Sequence, residues 1–137
     1  MPSEAAHLAI AERNRVVLDY LLERIENCAE WVTTVAFYRA LHLVEAVFYH
    51  DGHEHGRNHE TRERMLKTNN RYKHIYQHYR PLWAASVVAR YLEDADNSAP
   101  FSSFSEYLKP DDVKRIIIDH RLRQIENSVA KLLASSP

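Results

Sequence analysis

Apolar residues recur at helical spacing along most of the chain, and that pattern predicts a fold built from helices. Ser3 is placed to cap a first helix running to about Asn27, with Leu8, Val16, Val17, Tyr20, Leu21 and Ile25 as its apolar stripe. A second helix is expected from Ala29 to His50, stopped at Asp51-Gly52. Phe37, Leu41, Val44 and Phe48 form one of its faces, while Trp31, Val35, Ala40, Leu43 and Val47 spread around the others. A helix apolar on most sides is the central one of a bundle.

Residues 51–58 read as a polar loop, after which Asn58 caps a short helix to about Asn69. Glu60 and Glu63 sit early in that helix and complement its dipole. A further helix spans Tyr72 to Ala95, with Pro81 marking a kink or a fresh start. Residues 96–110 carry serines, Pro100 and Pro110, and read as a loop packed down by Phe101, Phe104 and Tyr107. The last helix opens near Asp111 or Asp112 and runs to about Ala134, with Ile118, Leu122, Ile125, Val129 and Leu132 as a clean stripe. The pattern predicts an all-α fold, an up-and-down bundle of four long helices plus one short helix, as a single domain over 1–137.

Composition agrees with one globular domain: 137 residues, 45% hydrophobic and 27% charged, are enough to bury a core without staples. Two glycines and five prolines leave few turn-makers for a β-rich fold. Cys28 is the single cysteine, so no disulfide framework exists and a reducing compartment is the simpler reading. No apolar run approaches the roughly 20 residues that span a bilayer, and Met1-Pro2-Ser3-Glu4 lacks the apolar stretch of a signal peptide. A cytoplasmic location without membrane contact is therefore expected.

Charge changes the picture locally. Basic and acidic residues nearly cancel, at 18 against 19, so nothing draws the whole chain to nucleic acid. From Arg57 to Arg80, however, Arg57, Arg62, Arg64, Lys67, Arg71, Lys73 and Arg80 face only Glu60 and Glu63, with His59, His74 and His78 in the same stretch. That excess is either a phosphate-facing surface or a solvated helix face.

Polar residues also interrupt the greasiest helix. Tyr38, His42, Glu45 and Tyr49 fall at i, i+4, i+7 and i+11, in one row. Left unpaired in a core, each would cost on the order of 1–3 kcal/mol. His59 and Arg62, three apart at the start of the next helix, are the expected partners, with Glu45–Arg62 as the pair and His42 and His59 nearby. The row reads as a network fixing helix register or as a ligand site made of His42, Glu45, His59, Arg62 and Arg90. A metal site is the third reading, with His42, Glu45 and either His59 or the loop residues His50, His53 and His55; no second Glu-x-x-His motif accompanies it, as a di-iron bundle requires. Arg90, four residues beyond Ser86, is expected either to anchor Glu45 or to bind phosphate. Tyr72, Tyr76, Tyr79 and Trp83 step along one helix as core or interface, or as platforms for stacking bases.

The final helix reads Arg115-Ile116-Ile117-Ile118-Asp119-His120, an Arg-x4-His pattern. Together with WVTTVAFYRALHLVE at 31–45, His59-Glu60-Thr61-Arg62 and Ala89-Arg90-Tyr91, it resembles the HEPN superfamily of small helical bundles over roughly residues 29–133. The resemblance implies a bundle of four or five helices that usually forms a homodimer. Many such proteins are metal-independent endoribonucleases of toxin–antitoxin, defence or RNA-processing systems, with an antitoxin as a possible protein partner. Others only bind nucleotides or partners. It further implies that Arg115 neutralises a scissile phosphate and that His120 is general base or acid toward a ribose 2′-OH, with RNA as substrate and no cofactor. Without the resemblance, Arg115 reads as a surface ion pair with Asp111, Asp112 or Asp119, and His120 as an edge-of-core residue. The chain is then a non-enzymatic interaction module.

Overall fold

The computed structural model describes residues 2–53, 58–94 and 100–136. Helices pack on one another, and among the described residues extended pairing is confined to one isolated bridge between Glu93 and Pro100. The elements are α1 (Glu4–Leu22), α2 (Ile25–His50), α3 (His59–Thr68), α4 (Lys73–Tyr91), a short α5 (Phe104–Tyr107), and α6. The last begins as Pro110–Asp112, winds as a π-helix over Val113–Leu122 and continues as Arg123–Leu133. No helix among the described residues is long and apolar enough to cross a membrane.

Both expected caps form. Ser3 Oγ accepts from the Ala6 amide at 3.1 Å, and Asn58 Oδ1 accepts from the Thr61 amide at 2.9 Å. The first boundary differs from the expected one: α1 stops at Leu22 and α2 starts at Ile25, with Cys28 held out of helical geometry at φ −150°. Neither glycine nor proline stands there to punctuate the pattern. The Cys28 thiol instead donates to the Arg24 carbonyl, 3.2 Å away.

The stripe expected on the first helix is met only in part: Leu8, Leu21 and Ile25 pack against the core. The buried residues of α1 are His7, Ala11 and Leu18, while Val16, Val17 and Tyr20 are exposed. α1 lies along α2, its main neighbour, through His7, Ala11 and Leu18, with Leu8, Leu21 and Leu22 packed beside them. α2 is the central helix: Val32, Ala36, Phe37, Ala40, Val44, Val47 and Phe48 are all buried.

α4 passes through Pro81 without a fresh start and ends at Leu92, whose φ of +56° lies in the left-handed region. The helix expected to reach Ala95 therefore stops short, because the left-handed turn at Leu92 ends it and Glu93 and Asp94 already lie outside it; Ala95 itself is outside the described residues. In place of a plain loop before α6, Phe104–Tyr107 form one helical turn with Phe104 buried. Along α6 the buried positions are Val113, Ile117, Ile118 and Leu122, then Ile125 and Val129. Steps of five, Val113 to Ile118 and Ile117 to Leu122, are the ones that i→i+5 winding brings onto one face. Steps of three and four follow where the α-helix resumes.

Candidate functional site

One polar cluster is centred on Glu45, which α2 carries into the interior. Arg62, in the first turn of α3, donates from Nε to Glu45 Oε1 at 2.9 Å, the pairing expected from the sequence. The Asn58 cap sets where α3 begins and so aims Arg62. Tyr79 of α4 is buried close by. Burial pushes its hydroxyl up to about 12, with Arg62 pulling the other way.

His42 and His59 take separate partners. His42 Nδ1 lies 3.1 Å from His7 Nδ1 of α1, so one ring donates and the other accepts. Burial lowers the His42 pKa, and the charges of His7 and Arg62 add to the effect. The His59 ring lies flat on Trp83, 3.8 Å between centroids and 6° between planes, while its Nε2 reaches Glu63 at 3.1 Å. Burial lowers the His59 pKa despite the pull of Glu63. The Arg62 charge acts on both imidazoles. Tyr38 and Tyr49, the ends of the predicted row, are exposed.

The metal set is dispersed. Among the described residues no three His, Cys, Asp or Glu side chains stand close enough to share an ion. His50 binds Glu4 at 3.0 Å and the Ser135 carbonyl at 2.9 Å, and His53 stands edge-on to Tyr72. His55 lies outside the described residues.

Arg90 does not reach Glu45. Its Nε donates to the Ser86 carbonyl at 3.1 Å, and the guanidinium carbon lies 5.2 to 6.0 Å from the ring centres of Tyr91, Phe37 and Tyr38. Of the aromatic stripe, Tyr72 and Tyr79 are core, and Tyr76 and Trp83 pack partly buried against it.

A second cluster lies where α4 faces α6. His74 and His78, one turn apart on α4, meet edge to face at 5.1 Å, and His78 meets His120 of α6 in the same way at 5.2 Å. Arg121 points its Nη1 at His78 Nδ1, 3.2 Å away. A guanidinium only donates, so His78 accepts there and is neutral. Burial, followed by Arg121, His74 and His120, holds its pKa down to about 4. Arg121 Nε is buried without a hydrogen-bond partner, and no carboxylate among the described residues pairs with this guanidinium.

Arg115 and His120 are both exposed, each with its own partner. Arg115 binds Asp112 at 2.9 Å, while Lys114 takes Asp119 at 3.0 Å. On an α-helix, positions five apart diverge by about 140°; π winding turns them toward one side. Sequence reasoning found His120 but not Arg121, His74 or His78 as its company. The available signal was the i, i+4 pair of histidines inside the basic stretch, and nothing local said which helix it faced.

No known protein family, functionally described protein or solved structure matches this chain.

Proposed function

We propose that the chain binds RNA or a nucleotide on the face shared by α4 and α6, and that His120 serves there as the acid–base group of an endoribonuclease. The observation that carries this reading is Arg121: a partly buried guanidinium without a carboxylate, beside three imidazoles, is a site short of an anion. In this reading a phosphodiester settles against Arg121. The exposed His120 takes the proton of a ribose 2′-OH, the 2′-oxygen attacks phosphorus, and the 5′-oxygen leaves with a proton from water. Arg115, on the same helix, reaches the phosphate once it releases Asp112.

This keeps the HEPN resemblance as the family reading, with α1, α2, α4 and α6 as the four long helices of an up-and-down bundle in a cytoplasmic protein. The test is incubation with mixed RNA oligonucleotides in EDTA, scored for fragments ending in a 2′,3′-cyclic phosphate. His120→Ala is expected to lower the rate by about 10²-fold or more, and Arg121→Ala and Arg115→Ala to weaken RNA binding. No cleavage by the parent, or equal cleavage by all variants, removes the nuclease reading; unchanged RNA binding by Arg121→Ala removes the binding reading.

A second reading, a non-enzymatic interaction module or homodimer, is favoured by the outward Val16, Val17 and Tyr20 on α1. It predicts that Val17→Asp abolishes self-association in sedimentation velocity, and a monomeric parent excludes the homodimer.

A further inference from the structure

Beside the imidazole cluster, between the start of α4 and the end of α6, lies a pocket of about 310 Å³ lined by Arg71, His74, Ile75, Ser128, Lys131 and Leu132. Ile75 and Leu132 give it apolar walls, and the other four present donors. No carboxylate lines it. Ser128 is only 8% exposed, and its hydroxyl makes no hydrogen bond to any described residue. As a lining residue, Ser128 leaves that hydroxyl available to a ligand in the pocket.

The cations around it are arranged unequally. Arg71 spends Nε and one Nη on Asp51, at 2.8 and 3.1 Å, so it is held rigidly while its other Nη has no partner among the described residues. Lys131 has no ion-pair partner among the described residues. Among the described residues, His74 meets Gln124, at 3.4 Å, and the edge of His78. A hydroxyl, an ammonium, a fixed guanidinium N–H and an imidazole around one space match the several oxygens of a phosphate group better than the two of a carboxylate.

We propose that this pocket binds the phosphate of a phosphate ester through Ser128, Lys131, Arg71 and His74. Ring-to-ring steps of 5.1 and 5.2 Å lead from His74 through His78 to His120. A phosphate held here is therefore a near neighbour of the one that faces His120. Only that link to a strand of RNA rests on the function proposed above; the pocket itself does not.

The experiment measures binding of adenosine 5′-monophosphate by calorimetry and by the side-chain NMR signals of His74. Parent protein and His120→Ala are expected to bind alike, whereas Ser128→Ala and Lys131→Ala each bind about tenfold more weakly. Two RNA oligomers of one sequence, with and without a 5′-phosphate, then identify the source. Preference for the phosphorylated end assigns the pocket to a terminal phosphate, and equal affinity, still weakened by Lys131→Ala, to an internal one. No binding of the monophosphate up to about 10 mM, or equal binding by the Ser128 and Lys131 variants and the parent, overturns the proposal. A protein that binds the monophosphate through these residues but cuts no RNA retains the pocket and loses only the nuclease reading.

Discussion

Glu45 and Arg62 meet at 2.9 Å between α2 and α3 with 2% and 9% of their side chains exposed. Such a pair contributes little net stability compared with apolar residues of the same shape, but either charge left alone is costly, at about 3–5 kcal/mol. Glu45→Ala and Arg62→Ala are each expected to lower unfolding free energy in urea by that order, whereas Glu45→Leu with Arg62→Met recovers most of the loss. Additive losses in the double variant would show that the two groups do not stabilise each other.

That pair was legible before the fold was known because a carboxylate in a greasy row demands a cation, and Arg62 opens the next helix. Ser3 and Asn58 were legible for a similar reason, since a cap is a local bond between residues three apart. Contacts set by how two helices slide past each other were not legible. His78 meets His120 only because α4 and α6 stand at one particular register, which no local pattern encodes. α1 misled in part: its apolar residues pointed to Val16, Val17 and Tyr20, but the face against α2 buries His7, Ala11 and Leu18. The π winding of α6 was not legible, because Val113, Ile117, Ile118, Leu122, Ile125 and Val129 also fit steps of three and four.

The histidines predict acid sensitivity. His78 is held down to about 4 chiefly by burial, and burial lowers His42 and His59 too. An imidazole lowered in the folded state binds fewer protons than it does unfolded. Its stabilisation is complete above the ordinary 6.5 and is lost as pH falls toward the folded value. Stability should decline from pH 6.5 toward pH 4, by up to about 1.4 kcal/mol per pH unit for each such proton. His50 opposes this weakly, because the Ser135 carbonyl and Glu4 raise its pKa. His78→Gln keeps an acceptor for Arg121 yet cannot charge, so its melting temperature should fall less steeply over that range. An unchanged slope would mean that His78 charges as readily in the folded protein as in the unfolded chain.

Pro81 predicts a gain. It lies inside α4, where its missing N–H leaves the Gln77 carbonyl without its helical partner. Proline inside a helix costs about 3 kcal/mol relative to alanine, offset by roughly 0.4–1 kcal/mol from its stiffening of the unfolded chain. Pro81→Ala should therefore raise the unfolding free energy by about 2 kcal/mol. A variant that melts at or below the parent temperature would show that the neighbours of α4 are built around the proline ring.

Asp51 joins the end of α2 to the start of α4. It accepts from Arg71 at 2.8 and 3.1 Å and from the Tyr72 hydroxyl, with only 3% of its side chain exposed. Burial works against its charge, but the bonds from Arg71 and Tyr72 outweigh it and leave the pKa below the ordinary 3.8. Asp51 accordingly stabilises the fold above that value, and its contribution disappears in more acid solution, below the range in which the histidines act. Asp51→Asn keeps the shape but loses the charge, and should cost about 1.5–3 kcal/mol at neutral pH. Tyr72→Phe removes one bond and should cost about 1 kcal/mol. The comparison is decisive because both changes touch the same carboxylate. If the phenylalanine variant loses as much stability as the asparagine variant, the tyrosine hydroxyl and not the Arg71 ion pair ties α2 to α4.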